Sequence, residues 1–491
     1  MRIGLFLNNL DEEYQLSAYK GIKAEAAACG LELICVQGES LPPKSQIPPN
    51  NREPPVLFPS RNILGADGIL FLSSVLFNRS ISEYEEQFND MFKNVPFVSV
   101  GDAFFDFHCI LIQNEKPMRD LMEHLLAFHK FKKLLFIGGP AEHTDNIVRE
   151  KIFNAAIEQH RANNPILQGT VIHGDFTEIT GMNITRNYMN ENPDNPPDVI
   201  VAANDTMAIG ARNFLLTRED PRWNKCPVTG FDDISQSGLE IPTLTTVKQP
   251  LDELGKLAVR TLLDIIQGKD APKTTAVEAK LIIRNSCGCP IKTEQKAANL
   301  VQYRSIYHLR YLSVLGKSLT AINTFEEMFN PLRSFISNLD VPFFFLIAYD
   351  RPMLEIGTEG NLIYERSLEK ESFGFKDAPR INIKEFFLKL GSYPGASGVW
   401  CLRYLRSGNE YLGLVIYEAG DLIHPQLCNG FILLSNTMNR LFGYQDGMDR
   451  EAWLNREVAF RTSDLLEENK KLREEIQRLR ESSRSQINSA M

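Results

Sequence analysis

The stretch Val199-Ile-Val-Ala-Ala-Asn-Asp-Thr-Met-Ala-Ile-Gly210 decides how the rest of the chain is read. Its first residues are an unbroken apolar run of strand type. Such a run fits a strand buried on both faces, as in a parallel sheet covered by helices. The polar pair Asn204-Asp205 follows, and a helical pattern over 206–216 begins directly after it. In strand–loop–helix units the polar residues at the carboxyl ends of strands face a ligand crevice. Asn204 offers both a donor and an acceptor to a hydroxyl. Asp205 either caps the helix or faces the ligand.

Outward from this stretch the same alternation fills residues 1–290. Strands are expected at Arg2–Leu7, Leu31–Gln37, Gly68–Leu72, Phe97–Val100, Cys109–Ile112, Lys133–Ile137, Thr170–His173 and Val228–Phe231. Helices are expected at Tyr14–Cys29, Met118–Phe128, Ile147–His160 and Thr180–Asn190. The repeat is too long for one small sheet, so two parallel sheets, one per lobe, are expected. A Pro-rich stretch from Leu41 to Ser60 excludes helix and central strand and reads as a surface loop.

After Pro290 the pattern changes. A helical stripe runs over 293–322, followed by a helix at Phe325–Leu339 and a strand at Phe343–Tyr349. Strand material follows at Leu362–Arg366, then a hairpin, Gly398–Arg406 with Glu410–Tyr417, and a closing helix at Pro425–Phe442. This order describes a small α+β unit. Near the C-terminus Val458, Leu465, Leu472 and Leu479 recur at heptad spacing, with Asn469 and Ile476 at the other seam position. That pattern predicts a parallel dimeric coiled coil. Its flanking pairs, Glu468 with Arg473 and Glu475 with Arg480, contribute about 0.5 kcal/mol each and select orientation more than they add strength. A single solvated helix is the alternative.

Several motifs occur together in residues 1–290: VIVAANDTMAIGA, VTGFDD (228–233), LTTVKQP (244–250), FIGGP (136–140) followed by Arg149, HGDFTEITG (173–181) and IIRNSCGC (282–289). The first three, in their order and spacing, resemble the lactose-repressor/periplasmic-binding-protein superfamily, and the others are further matches to it. The last motif resembles a subgroup of cytoplasmic sensors joined to cyclic-di-GMP synthases, histidine kinases or AraC-type DNA-binding domains. The resemblance implies an α/β, two-lobed, type I periplasmic-binding-protein-like domain without the usual helix-turn-helix headpiece. It also implies a ligand set. Arg149, Asn204 and Asp232 bind sugar hydroxyls, Phe176 packs on a ring face, and Gln249 and Asn114 lie at the hinge crossings. Here Gln113 precedes Asn114, and Pro117 stands at a usual glycine position. Strand-end position alone adds Asn8, Tyr14, Ser73 and Asp102. Planar Arg, Asp and Asn groups suit the paired hydroxyls of a neutral polyol.

The expected organisation is a two-lobed ligand-binding domain at 1–290, a connecting helix at 291–322 and an α+β unit at 323–445. A coiled coil at 450–482 and a disordered tail at 483–491 follow. By its order of elements the α+β unit resembles a GAF-type domain. The net charge of -9 weighs against direct DNA contact. No secretory signal or membrane span is recognised, so a cytoplasmic location is expected. No catalytic motif and no cofactor is recognised. Cys287 and Cys289 could be redox-active or metal-binding, but no His or Cys partner pair of suitable spacing accompanies them, so a plain thiol pair is expected. The expected partners are a sugar-like ligand, a second copy of the chain and a separate output protein. The expected function is a non-enzymatic sensor. The alternative is the ligand-binding portion of a transcription regulator, or of a diguanylate cyclase or histidine kinase whose output lies outside the chain. An enzyme site in 323–445 is a third option that no residue pattern supports.

Overall fold

The computed structural model of the chain describes residues 1–8, 10, 12–38, 64–76, 92, 94–103, 106–162, 164–238, 242–290, 315–338, 341–375, 377–408, 410–418 and 427–445. The Pro-rich loop, residues 291–314 of the expected connecting helix, and the seam residues Val458, Leu465, Asn469, Leu472, Ile476 and Leu479 lie outside the described residues.

Lobe 1 begins with β1 (Arg2–Leu7), α1 (Glu13–Ala28), β2 (Glu32–Gln37), β3 (Gly68–Leu72), β4 (Phe97–Gly101) and β5 (His108–Gln113). The chain then crosses to lobe 2. There α2 (Glu115–Glu123), β6 (Lys133–Gly138), α3 (Thr144–Arg161), β7 (Gln168–His173), α4 (Glu178–Glu191), β8 (Val199–Ala202), α5 (Asp205–Leu216), β9 (Val228–Thr229) and β10 (Thr246–Lys248) follow. It returns to lobe 1 as α6 (Leu251–Ile266) and β11 (Thr274–Glu278), and crosses back as β12 (Lys280–Ile282), which pairs with β10.

Lobe 1 is a parallel sheet in the order β2-β1-β3-β4-β5-β11, and lobe 2 a parallel sheet in the order β7-β6-β8-β9. The two-sheet expectation therefore holds. Strand β8 is buried throughout, as its apolar run required. Three short crossings join the lobes, between β5 and α2, β10 and α6, and β11 and β12. Short parallel crossings of this kind act as a hinge. In lobe 2, Gly181 and Gly210 let α4 and α5 touch through their backbones. A Cβ on Gly181 would lie 2.2 Å from the Met207 carbonyl oxygen, and one on Gly210 would lie 2.0 Å from that of Glu178.

The α+β unit has the expected order. It runs α7 (Phe329–Asn338), β13 (Phe344–Met353), β14 (Glu359–Arg366), β15 (Glu371–Phe373), β16 (Arg380–Asn382), α8 (Ile383–Lys389), β17 (Val399–Ser407), β18 (Glu410–Glu418) and α9 (Leu427–Gln445). Its strands are antiparallel in the order β17-β18-β13-β14-β15, with β16 on β14. Strands β15 and β16 and helix α8 are too short to carry a periodic signal and were not anticipated.

Nor was the junction with lobe 1. Strand β17 pairs in parallel with β2, from Val399 opposite Leu33 to Arg403 opposite Gln37. The β2 edge would otherwise present unpaired backbone groups, and β17 covers it. Phe6, Ile34 and Val36 share one apolar cluster with Trp400, Leu402 and Ile416. Arg2 ties the junction together. Its guanidinium donates to both oxygens of Glu32 at 2.8 and 2.9 Å, to the Leu64 carbonyl at 3.1 Å and to the Phe387 carbonyl at 2.8 Å.

Lobe 1 and the α+β unit should therefore unfold together. Arg2→Met keeps the volume but leaves Glu32 and the Phe387 carbonyl without their donor, and should cost about 2–3 kcal/mol. Hydrogen exchange should show protection falling in both β2 and β17. Loss confined to one of them would contradict a shared unit.

Candidate functional site

The carboxyl ends of the strands in both lobes meet at the crossings. On the lobe 2 side, Arg149 sits on α3 and is 2% exposed. Its guanidinium donates to the Ala203 carbonyl at 2.7 Å, pairs with Asp145 at 3.2 Å one helical turn earlier, and lies 3.9 Å over the Phe231 ring. Asp232, just after β9, holds its backbone at φ 122° and accepts a hydrogen bond from the Gln249 amide at 2.5 Å. Asn114, at the first crossing, donates to Asp145 at 3.1 Å.

On the lobe 1 side, Tyr14 of α1 meets the Ser74 hydroxyl at 3.3 Å, and its phenol feels the charges of Asp145, Asp232 and Asp102. Two contacts bridge the lobes directly. A His143 ring nitrogen lies 3.2 Å from the Ser74 carbonyl, and Glu13 accepts from the backbone N–H and hydroxyl of Ser235.

The electrostatics follow from burying several acids around one cation. Burial pushes the Asp232 carboxyl up to about 8; Arg149 opposes this, while Asp205 and Asp145 add to it. Burial, together with Asp145, pushes Asp102 up to about 7, again against Arg149. Burial also drives the Tyr14 phenol far above its ordinary range and lowers His143. Four buried polar atoms here have no hydrogen-bond partner among the described residues: Arg149 Nε, Gln249 Oε1, Asn114 Oδ1 and His143 Nδ1. Buried polar atoms are normally paired, so this concentration of unpaired ones sets the region apart.

Of the residues singled out from sequence, Arg149, Asp232, Gln249, Asn114, Tyr14 and Asp102 share this neighbourhood. Phe176 stands at its wall. Its ring covers Gly139, lies edge-on to His143 at 5.0 Å between centroids, and its backbone adopts φ 68°. Asn204 has less freedom than expected, because both its amide atoms are used. The oxygen accepts from Met207 N–H at 2.9 Å and the nitrogen donates to the Phe176 carbonyl at 3.0 Å. Asn204, not Asp205, caps α5. Asp205 is fully buried and accepts from Ser237, Thr246 and the Ile234 N–H.

Ser73 does not face the crevice through a free hydroxyl. It binds the Val100 and Asp102 carbonyls and Ser99 within lobe 1. At Asn8 the backbone N–H binds Gln15. Ser74, His143 and Asp145 lie in the same neighbourhood and were not singled out from sequence. The signal for Asp145 was its position four residues before Arg149 on one helix face.

Cys287 and Cys289, expected as a plain thiol pair because no His or Cys partner pair of suitable spacing accompanies them in sequence, have two histidines beside them in the fold. His124 and His129 lie against both thiols. The reason is tertiary: the histidine pair and the cysteine pair are separated by over 150 positions in the chain but meet where the segment after β12 lies beside the end of α2.

Two cavities lie away from the crevice. One of about 310 Å³ lies between Gln37, Arg403 and Phe431, and one of about 440 Å³ between Arg119, Lys151 and His160. No described helix is long and apolar enough to cross a membrane.

Residues 122–287 match the family described as periplasmic binding protein-like domain. The chain is 30% identical over 230 residues to the HTH-type transcriptional repressor PurR of Photorhabdus laumondii, covering 45% of this chain and 63% of that protein. It is 30% identical over 200 residues to the ribose operon repressor of Escherichia coli K12, covering 40% and 57%. It is 27% identical over 190 residues to the HTH-type transcriptional repressor MelR of Bacillus subtilis, covering 38% and 54%. The chain thus spans 54% to 63% of the length of these relatives. Among solved structures, a dimeric Lac repressor with an 11-residue C-terminal deletion aligns at 20% identity with a TM-score of 0.49, covering 58% of this chain and 98% of that one. The curated relatives are transcriptional repressors rather than enzymes. Two carry a helix-turn-helix in their names, so the charge-based expectation against DNA contact finds no support in them. Residues 122–287 therefore form part of a periplasmic-binding-protein-like domain, and the chain is similar in sequence to the domain carried by these repressors.

Proposed function

We propose that the chain is a cytoplasmic sensor of a small neutral polar molecule, a sugar or related polyol, which binds between the lobes. The observation that carries this reading is the convergence of Arg149, Asp232, Gln249 and Asn114 from the crossings and lobe 2 with Tyr14 and Asp102 from lobe 1. Their unpaired atoms offer both donors and acceptors. Ligand affinity for the closed arrangement shifts the population of lobe positions. The α+β unit, with its helix, antiparallel sheet and closing helix, is read as a GAF-like relay, and its seam with β2 connects it directly to lobe 1. The dimeric coiled coil over 450–482 then presents the signal to a separate output protein.

The second reading, the ligand-binding portion of a transcription regulator, is favoured by the repressors that the chain matches. Copurification of an output protein with the full chain supports the first reading. Sequence-specific DNA binding by the full chain supports the second.

A thermal-shift screen of the full chain against neutral sugars, polyols and nucleosides should find one class that raises the midpoint. Arg149→Ala removes a charged and Asp232→Ala a buried polar hydrogen-bonding group, and each should weaken that ligand by about 30- to 100-fold. Unchanged affinity in both folded variants would refute the cleft assignment.

The raised acids also predict a pH dependence. Between about pH 4 and pH 8 the folded chain holds protons on Asp232 that the unfolded chain has released. Stability without ligand should therefore fall as pH rises through this window and level off above it. Asp232→Asn should flatten the fall between about pH 6 and pH 8, as read by denaturant unfolding at several pH values. An identical slope in the variant would place the titration elsewhere.

A further inference from the structure

Outside the crevice, four potential metal ligands meet on the flank of lobe 2. His124 and His129 bracket a single π-helical turn, His124–Phe128, at the end of α2. The turn closes with the His129 N–H on the His124 carbonyl at 3.1 Å. This i to i+5 closure sets the second imidazole above the first, and such π turns occur often at functional sites. The two ring Nε2 atoms are 3.2 Å apart. Phe128 stacks on His124 and Phe131 on His129, each at 5.1 Å between centroids, so both rings are held in orientation.

The thiols arrive from the other end of the domain. Cys287 is fully buried and Cys289 partly so. Gly288 between them has φ 96°, a conformation that turns both side chains toward the histidines and disfavours any other residue. His124 Nε2 lies 3.5 Å from the sulfur of Cys287 and 3.5 Å from that of Cys289. His129 Nε2 lies 3.4 Å from the sulfur of Cys289. All four candidate ligand atoms fall within 4.8 Å of one another.

These separations can be compared with a tetrahedral zinc site. Zinc–nitrogen bonds of about 2.0–2.1 Å and zinc–sulfur bonds of about 2.3 Å give edges of about 3.3 Å between nitrogens and about 3.5 Å from nitrogen to sulfur. The observed values agree within ~0.2 Å. Two thiolates and two imidazoles in a tetrahedron select zinc over oxygen-preferring cations. The surroundings supply support as well. The Thr245 hydroxyl donates to the Cys287 sulfur at 3.2 Å, and the Asn285 amide donates to the Cys289 carbonyl at 3.3 Å.

We propose that His124, His129, Cys287 and Cys289 bind one structural zinc ion. The ion would clamp the last residues of the two-lobed domain onto lobe 2. The chain continues from that point toward the α+β unit, which is joined to lobe 1. The zinc would thus hold the end of the two-lobed domain on lobe 2, while the α+β unit is held on lobe 1 by the pairing of β17 with β2.

The test uses the full chain, purified under reducing conditions and analysed for metal. About one zinc per chain is expected, bound through the Cys2His2 set. Replacement by cobalt should give thiolate charge-transfer bands and the strong visible bands of a tetrahedral ion. Cys289→Ser and His129→Ala, at partly exposed positions, should lose the zinc or weaken it at least tenfold, roughly. Thr245→Val leaves all four ligands in place and should still weaken zinc by about 10-fold or more. A folded wild-type chain, verified by circular dichroism, that retains neither zinc nor tetrahedral cobalt after reconstitution would overturn the proposal. So would a Cys287–Cys289 disulfide in the reduced preparation, or full metal retention in both ligand variants.

Discussion

The charge of Arg149 sets the character of the crevice. A guanidinium keeps its proton under all ordinary conditions, and this one is almost fully buried. It is satisfied on one side by a carbonyl, on another by Asp145, and on its face by the Phe231 ring. That leaves Asp102 and Asp232 as a second rank of acids, close enough to feel the cation but too buried to ionise freely. One fixed positive charge with acids near their midpoints can present either donors or acceptors at small energetic cost. This is the basis on which a polyol, whose hydroxyls do both, is proposed as the guest.

The fold delivers these groups from separate places. Arg149 comes from α3, Asp232 from the end of β9, Gln249 and Asn114 from two crossings, and Tyr14 from α1 across the gap. None of these elements forms the crevice alone, so small rotations at the three crossings change the whole set together. The α+β unit is coupled to one side of this arrangement through β2 and β17, with Arg2 at the seam. A movement that alters lobe 1 relative to lobe 2 is therefore a movement of the α+β unit relative to lobe 2.

Much of this was legible in the sequence because buried parallel strands have a simple signature. β3 and β8 are continuous apolar runs, as is β1 after Arg2, and their ends predicted where polar groups collect. Tyr14, Asp102, Arg149 and Asp232 were found that way or through the motifs around them. What was not legible depends on tertiary meetings. Asn204 and Asp205 are adjacent and chemically alike, and sequence did not settle which one caps α5. The pairing of β17 with β2 joins positions hundreds of residues apart with no distinctive residue at the seam. The meeting of His124 and His129 with Cys287 and Cys289 was hidden for the same reason. A π turn also changed the spacing that a search on ordinary helical periodicity would use.

The most direct measurement is a carbon-13 NMR titration of aspartate carboxyls in the ligand-free full chain, with and without Arg149→Met. The account predicts that the carboxyls of Asp102 and Asp232, assigned by substitution, titrate near neutrality and that both move upward when the cation is removed, whereas Asp205, also raised by burial, does not respond to it. If both instead titrate in the ordinary carboxylate range, and neither responds to the loss of Arg149, the crevice is not organised around a buried charge.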